Sequence, residues 1–461
     1  MTRPLRLFLC FVMAYFAPVL SFAQARPFPG PDLQQIYQRL LPQIEKIPAF
    51  DHHAHPGFSE DTDVDAMAAP PGSSAFRERD SNPELVAAAK ALFGYPYEDF
   101  SPEHSKWLVQ KKAELKKKYP GSAYFDMVLD KLNIEKSVAN RAMMADYLNP
   151  KRFLWVFFAD SFMWPFDNSR QRARNGDEEV YLPLQEKMLH RWMQQENISK
   201  LPPYFSDYLG FVSRTLEDNQ KRGGIAMKFE VAYFRSTKFG DPPRQQAEEV
   251  YKKFVGGGVP SSEEYKTFQD YLFRFLILEG GRLHLPVHIH SAVGIGDYFS
   301  LSESGIMNLE NILRDPRYSG TTFVMIHGGY PFEREAIWLA AAKNVYMESS
   351  YQELVMYPSE FKHSLKQWLE TFPDKITFGT DCFPYNNILG AEESYWLGIQ
   401  SARQALAAAL AEMVSMGEVS ESTALDMAKA YMHDTGLSIY QRKETKWPSQ
   451  YRKTSSAKRP R

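Results

Sequence analysis

The stretch "FDHHAHPG" at 50–57 sets three histidines within four positions, and His53 and His55 are spaced so that both can project from one face of a strand. By the same alternation His52 is expected to face away. Further along, "VHIH" carries His288 and His290, "MIHGG" carries His327, and "FGTD" ends on Asp381. Imidazole nitrogens and a carboxylate oxygen suit zinc, and also manganese or iron. A divalent cation among such donors would lower the pKa of a water and make hydroxide available as a nucleophile. "AMKFEV" adds Lys228 and Glu230 on one strand face, a second charged pair for the same region.

These residues are useful only if separate elements bring them together. Short apolar, β-branched runs are predicted as strands at 46–53, 135–143, 152–160, 224–231, 285–290, 321–327, 344–350 and 375–381, with helical patterns between them. Eight parallel βα units imply a closed α/β architecture, a (β/α)8 TIM barrel, whose strands deliver functional side chains from their C-terminal ends to one mouth. Each of the candidate histidines and Asp381 falls at or near such an end. Ser261 and Glu264 have capping-box spacing, which predicts a helix running to Gly280 and Gly281 just before the fifth strand. Residues 57–133 and 161–222 are too long for ordinary connections. They are expected to be largely helical insertions after strands 1 and 3, lying on the rim as a lid.

The ends read differently from the body. Residues 1–25 combine Arg3 and Arg6, an apolar run and an Ala-x-Ala site, the layout of a cleaved signal peptide. A periplasmic or secreted, soluble mature protein is the expectation. Loss of that segment removes Cys10 and leaves Cys382 alone, so the mature chain forms no internal disulfide. The barrel then occupies 26–440, and 441–461 is a basic, polar tail. A formal net charge of −2 gives no reason to expect nucleic-acid binding, and no later run is apolar enough to span a membrane. A small-molecule substrate is the expected partner, and a homo-oligomer is compatible with the sequence.

The segments "FDHHAHPG", "VHIHSAVG", "VMIHGGYPFEREAIWLAAAKNVYMESS" and "ITFGTDCFPY" together resemble the amidohydrolase superfamily, in its amidohydrolase-related branch of metal-dependent hydrolases and decarboxylases. The resemblance implies a metal held by His53, His55, His290 and Asp381, with the choice of His290 over His288 resting partly on it. Asp381 would also move a proton between water and leaving group, and His327 would polarise a carbonyl or act as acid/base. In the superfamily a carboxylated lysine or a glutamate on strand 4 often bridges two metals. Lys228 is placed for that role, with His327 then a second-metal ligand, or else for binding a substrate carboxylate. Arg235 offers a planar fork of donors for an anionic substrate group. The resulting expectation is an exported hydrolase cleaving an amide, ester or lactone-like bond with metal-activated water, zinc being favoured and one or two ions being allowed. A non-oxidative decarboxylase and a non-catalytic metal-binding barrel are the alternatives.

Overall fold

All eight expected runs become strands: β1 Ala49–Ala54, β2 Ile134–Asn140, β3 Phe153–Phe158, β4 Gly224–Phe229, β5 Val287–His290, β6 Phe323–Ile326, β7 Val345–Glu348 and β8 Ile376–Thr377. The computed structural model describes residues 30–64, 74–294, 296 and 298–441. The expected leader at 1–25 and all but the first residue of the expected tail at 441–461 lie outside them. Each strand pairs in parallel with the next, in the order β1 through β8. Closure comes from the segment after β8: His52 N donates to Phe378 O at 2.9 Å, Asp381 N to His53 O at 2.7 Å, and His55 N to Cys382 O at 2.7 Å. The fold is thus a (β/α)8 barrel, and the closing bonds themselves fix His53 beside Asp381.

One irregularity corrects the alternation argument. On β1, Asp51 aligns with Ser137 but Ala54 with Ala139, so three steps on β1 match two on β2. The extra residue is a bulge, which re-aims side chains at a strand end. His52 and His53 therefore both turn into the barrel. His53 rises toward the mouth, while the His52 ring stacks on His288 and Tyr440 with centroids 5.1 and 5.3 Å away.

Below those rings the interior is apolar. Phe50, Val138, Val156 and Ala226 form one buried layer, and Val324, Ile326 and Tyr346 another, both closed by residues of the helix Thr435–Tyr440. This last helix plugs the floor of the barrel. Gly436 is small because a Cβ there would meet Phe50 at 3.0 Å and His52 at 3.3 Å.

The helix Ser262–Leu283 starts with both arms of the expected capping box, Glu264 N to Ser261 Oγ at 3.2 Å and Ser261 N to Glu264 Oε2 at 2.9 Å. It does not stop at Gly280. That glycine stays helical and serves close packing on the sheet, since a Cβ would lie 2.5 Å from Met227 and 2.9 Å from Val287. The left-handed terminator is His284, with φ 55°. The two long insertions are mainly helical: Pro83–Phe93, Pro102–Lys118 and Ala123–Leu132 follow β1, and Ser169–Arg174, Glu178–Gln195 and Phe205–Lys221 follow β3. Among the described residues no helix is long and apolar enough to cross a membrane.

Candidate metal centre

At the mouth, three donors meet. His53 Nε2 lies 3.0 Å from Asp381 Oδ1, His55 Nε2 lies 3.4 Å from the same oxygen, and the two Nε2 atoms are 3.3 Å apart. Metal–nitrogen bonds of about 2.0–2.1 Å at a tetrahedral angle separate two ligand atoms by about 3.3 Å. The observed spacing fits one small divalent cation. His53, His55 and Asp381 are all buried, with their donor atoms turned toward one another.

Backbone conformation makes this convergence. Asp381 has φ 50° and His327 φ 65°, both in the left-handed region that β-strands avoid. Each residue therefore leaves its strand direction and swings its side chain over the mouth. Gly379 permits the approach, because a Cβ there would stand 2.1 Å from Glu348 and 3.0 Å from the His53 nitrogen. The β1 bulge does the same for His53.

His290 and His327 form a second set. His290 Nδ1 and His327 Nε2 are 3.2 Å apart. The other nitrogen of each ring is committed to a carbonyl, which can only accept: His290 Nε2 donates to Val293 O at 2.5 Å, and His327 Nδ1 to Ser350 O at 3.1 Å. With those protons placed, the facing nitrogens of the neutral rings both present lone pairs. Such a pair repels unless a proton or a cation lies between. Burial holds His53, His290 and His327 well below the usual imidazole pKa, with the Lys228 charge adding to the effect, and this favours the neutral, metal-binding form.

Lys228 stands between the two sets. It is fully buried, its Nζ is 3.4 Å from His53 Nε2, and the one carboxylate within 4.0 Å among the described residues is Glu230, at 3.9 Å. A buried ammonium beside imidazoles and without a close counter-ion is costly.

The supports behind these groups escaped the sequence reading. The Asn140 carboxamide, at the end of β2, lies 2.8 Å from His53 Nδ1. Its Nδ2 faces that nitrogen and also the carbonyls of Ala54 and Val138, at 3.4 and 3.3 Å, which holds the amide and with it the ring in place. Glu348, at the end of β7, accepts from His327 N at 3.3 Å and from Ser350 N at 2.7 Å, fixing the turn that carries His327. Burial pushes its carboxyl up to about 8. Both residues sit at strand ends, so the rule that pointed to the histidines covered them too; their residue types carried no signal.

Other expected residues lie elsewhere. Arg235 is not at the cluster: its Nη2 binds Asp270 at 2.7 Å, Nη1 binds Gln269 at 3.2 Å, and its guanidinium sits over Phe239. It lines a separate cavity of about 490 Å³ together with Arg174, Tyr233 and Lys266. His288 faces downward, with Nε2 3.0 Å from the Tyr440 hydroxyl. Phe162, Trp164 and Phe166, which follow β3, are buried against Trp192, Tyr265 and Phe268 and serve packing.

The fold and site together define a (β/α)8 barrel with a group of donors at its mouth that could hold a divalent cation. Residues 244–415 match the family model described as amidohydrolase, and this match, with the barrel topology, supports the resemblance to the amidohydrolase-related branch. The fold is similar to that of a provisionally assigned metal-dependent hydrolase from Lactobacillus casei, at TM-score 0.57 and 14% identity over 87% of this chain and 97% of that one. It is similar also to uronate isomerase from Thermotoga maritima, at TM-score 0.55 and 11% identity over 88% and 97%. The fluG protein of Emericella nidulans is 25% identical over 190 residues, which is 39% of this chain and 21% of that protein. The chain thus spans about a fifth of that curated relative.

Proposed function

We propose that the protein is an exported hydrolase in which His53, His55 and Asp381 would hold one divalent ion and His290 and His327 a second, with Lys228, as its carbamate, a ligand that would serve both. The substrate is a small molecule with an amide, ester or lactone-like bond. The observation that carries this reading is the pairing of lone pairs: in each set, buried donors face one another at 3.0–3.4 Å with no proton assigned between His290 and His327. Divalent ions, zinc first and manganese or iron next, would supply Lewis acidity there, polarising the scissile carbonyl and acidifying the attacking water.

The chain's own groups do the rest. Both imidazole contacts to Asp381 fall on Oδ1, which leaves Oδ2 to take a proton from the attacking water and return it to the leaving group. Ser350 O holds the Nδ1 proton of His327, so in this reading His327 is a ligand and not a proton carrier. Carbamate formation, in which the neutral Lys228 amine adds to carbon dioxide and loses a proton, replaces a buried cation whose counter-ion stands 3.9 Å away with an anion between the two donor sets, which removes the cost noted above. The leader-like segment supports export.

The test is elemental analysis of metal-replete wild type and of Lys228→Ala, alongside turnover of ester and amide panels. Two ions falling to one, with a new carboxylate product, support the proposal. One ion in both proteins removes the second pocket. Release of carbon dioxide or an isomerised product in place of hydrolysis overturns the assigned reaction.

A further inference from the structure

Asp51 lies on β1 two residues before His53, is fully buried, and takes no part in the chemistry assigned above. Three hydrogen bonds hold its carboxylate. Oδ1 accepts from Thr380 N at 2.7 Å, while Oδ2 accepts from Ser137 Oγ at 2.6 Å and from Thr380 Oγ1 at 3.2 Å. Ser137 and Thr380 are fully buried as well. Ser137 Oγ also lies 2.7 Å from the hydroxyl of Tyr395, on the helix Ala391–Ser415, so the group sits where that helix covers the strands.

Thr380 directly precedes Asp381, and its hydroxyl accepts from Cys382 N at 3.2 Å. The Asp381 amide between them donates to His53 O at 2.7 Å. Three successive amides are thus captured, one by Asp51 and one by the hydroxyl bound to Asp51. Asp381 has φ 50°, and a left-handed residue keeps that conformation where its surroundings enforce it. The covering helix leaves Thr380 little room to shift: a Cβ on Gly398 would stand 3.1 Å from Thr380 Cβ and 3.3 Å from its carbonyl oxygen. The orientation of this turn decides which oxygen of Asp381 meets the imidazoles. Both contacts, from His53 and His55, fall on Oδ1.

We propose that Asp51 is a positioning residue for Asp381: by fixing the amide and the hydroxyl of Thr380, it sets the turn that keeps Oδ1 on His53 and His55 and leaves Oδ2 for proton transfer. This rests on the role given to Asp381 in the hydrolytic reading above. Asp51 touches neither substrate nor ion, and no bond to it forms or breaks. A carboxylate suits the task because both of its oxygens accept. An amide in its place would keep the bond from Thr380 N but turn an NH2 group toward two hydroxyls. Thr380 Oγ1, already accepting from Cys382 N, would then lose the acceptor for its own proton.

Asp51→Asn is the main probe, since it breaks the hydroxyl arm without opening a cavity. Cobalt(II) serves as the probe ion, its visible bands reporting the donors around it. At high cobalt concentration Asp51→Asn should shift those bands in the same direction as Asp381→Asn, and kcat for ester hydrolysis should fall about 10–100-fold with KM unchanged. In the Asp381→Asn background the same change should cost nothing further. Thr380→Val should shift the bands likewise and Thr380→Ser should leave them as in wild type, and this pair decides the matter if Asp51→Asn does not fold. Wild-type bands in Asp51→Asn or Thr380→Val, with only thermal stability reduced, would show a structural seam and overturn the proposal, as would a full further loss in the double variant. A wild type that takes up cobalt but cleaves no ester or amide sinks the hydrolytic reading, and the cobalt comparison still decides whether Asp51 positions Asp381. Absence of cobalt uptake by wild type removes the metal reading and this inference with it.

Discussion

Two groups of histidines occupy one barrel a layer apart, and they are equally buried. In the upper layer His53, His55, His290 and His327 aim their free nitrogens at one another or at Asp381. In the lower layer His52 and His288 lie nearly parallel, their rings tilted by 27°, and stack with Tyr440. Both rings of His52 and His288 have buried nitrogens without a partner among the described residues, yet no carboxylate joins them in a ligand group. Burial of imidazoles is therefore not the mark of a metal site. Convergence of edges with an anion is, whereas face-to-face stacking gives packing and a polar interior that suits a buried water.

The comparison breaks most sharply by deleting one histidine from each layer. His53→Ala should abolish stoichiometric metal uptake and, with it, essentially all turnover. His288→Ala should keep the full metal complement and instead lower stability by about 2–4 kcal/mol, as truncation of a buried side chain does. Elemental analysis with denaturant unfolding of both variants reads the two effects. Equal metal loss in both would erase the distinction between the layers.

Next in size is Asp381→Asn, which keeps an oxygen donor near His53 but removes the proton acceptor. The expected loss in kcat is about 10²–10⁴-fold, with metal still bound at high ion concentration. Unchanged turnover in metal-replete protein would take Asp381 out of proton transfer. Asn140→Leu should act one step further out. Loss of the amide frees the His53 ring, and metal affinity should weaken by about 10–100-fold with the fold intact, measured by competition with a chromophoric chelator.

Periodicity was enough to locate all eight strands, because parallel strands buried on both faces are continuous apolar runs, and their ends exposed the chemistry-bearing residues. It failed where the backbone departs from regularity. His52 was assigned outward since alternation cannot register a bulge that depends on pairing with β2. The separation of His290 from the His53 set was invisible because it depends on a ring rotation fixed by Val293 O. Arg235 looked available because its partner Asp270 lies on a helix far along the chain. Arg77, in the rim insertion after β1, reveals its anchoring role only when Glu353 and Ser401 are seen beside it.

The smallest effect sharpens the comparison from the lower layer. Burial lowers the His52 pKa from an ordinary 6.5 to about 3. Between those values the unfolded chain binds a proton that the folded chain refuses, so stability is present above pH 6.5 and is lost as pH falls toward 3. At full effect the slope is about 1.4 kcal/mol per pH unit, which amounts to about 2 kcal/mol by pH 5. Asp51 and Glu348, with carboxyls raised to about 7 and about 8, act with the opposite sign, but they are common to wild type and to His52→Leu. Denaturant unfolding of the two metal-free proteins from pH 5.0 to 7.0 should therefore show a flatter profile for His52→Leu, the difference growing toward acid. Parallel profiles would mean that His52 takes up its proton inside the barrel, and the lower layer would then be an open, hydrated continuation of the upper one.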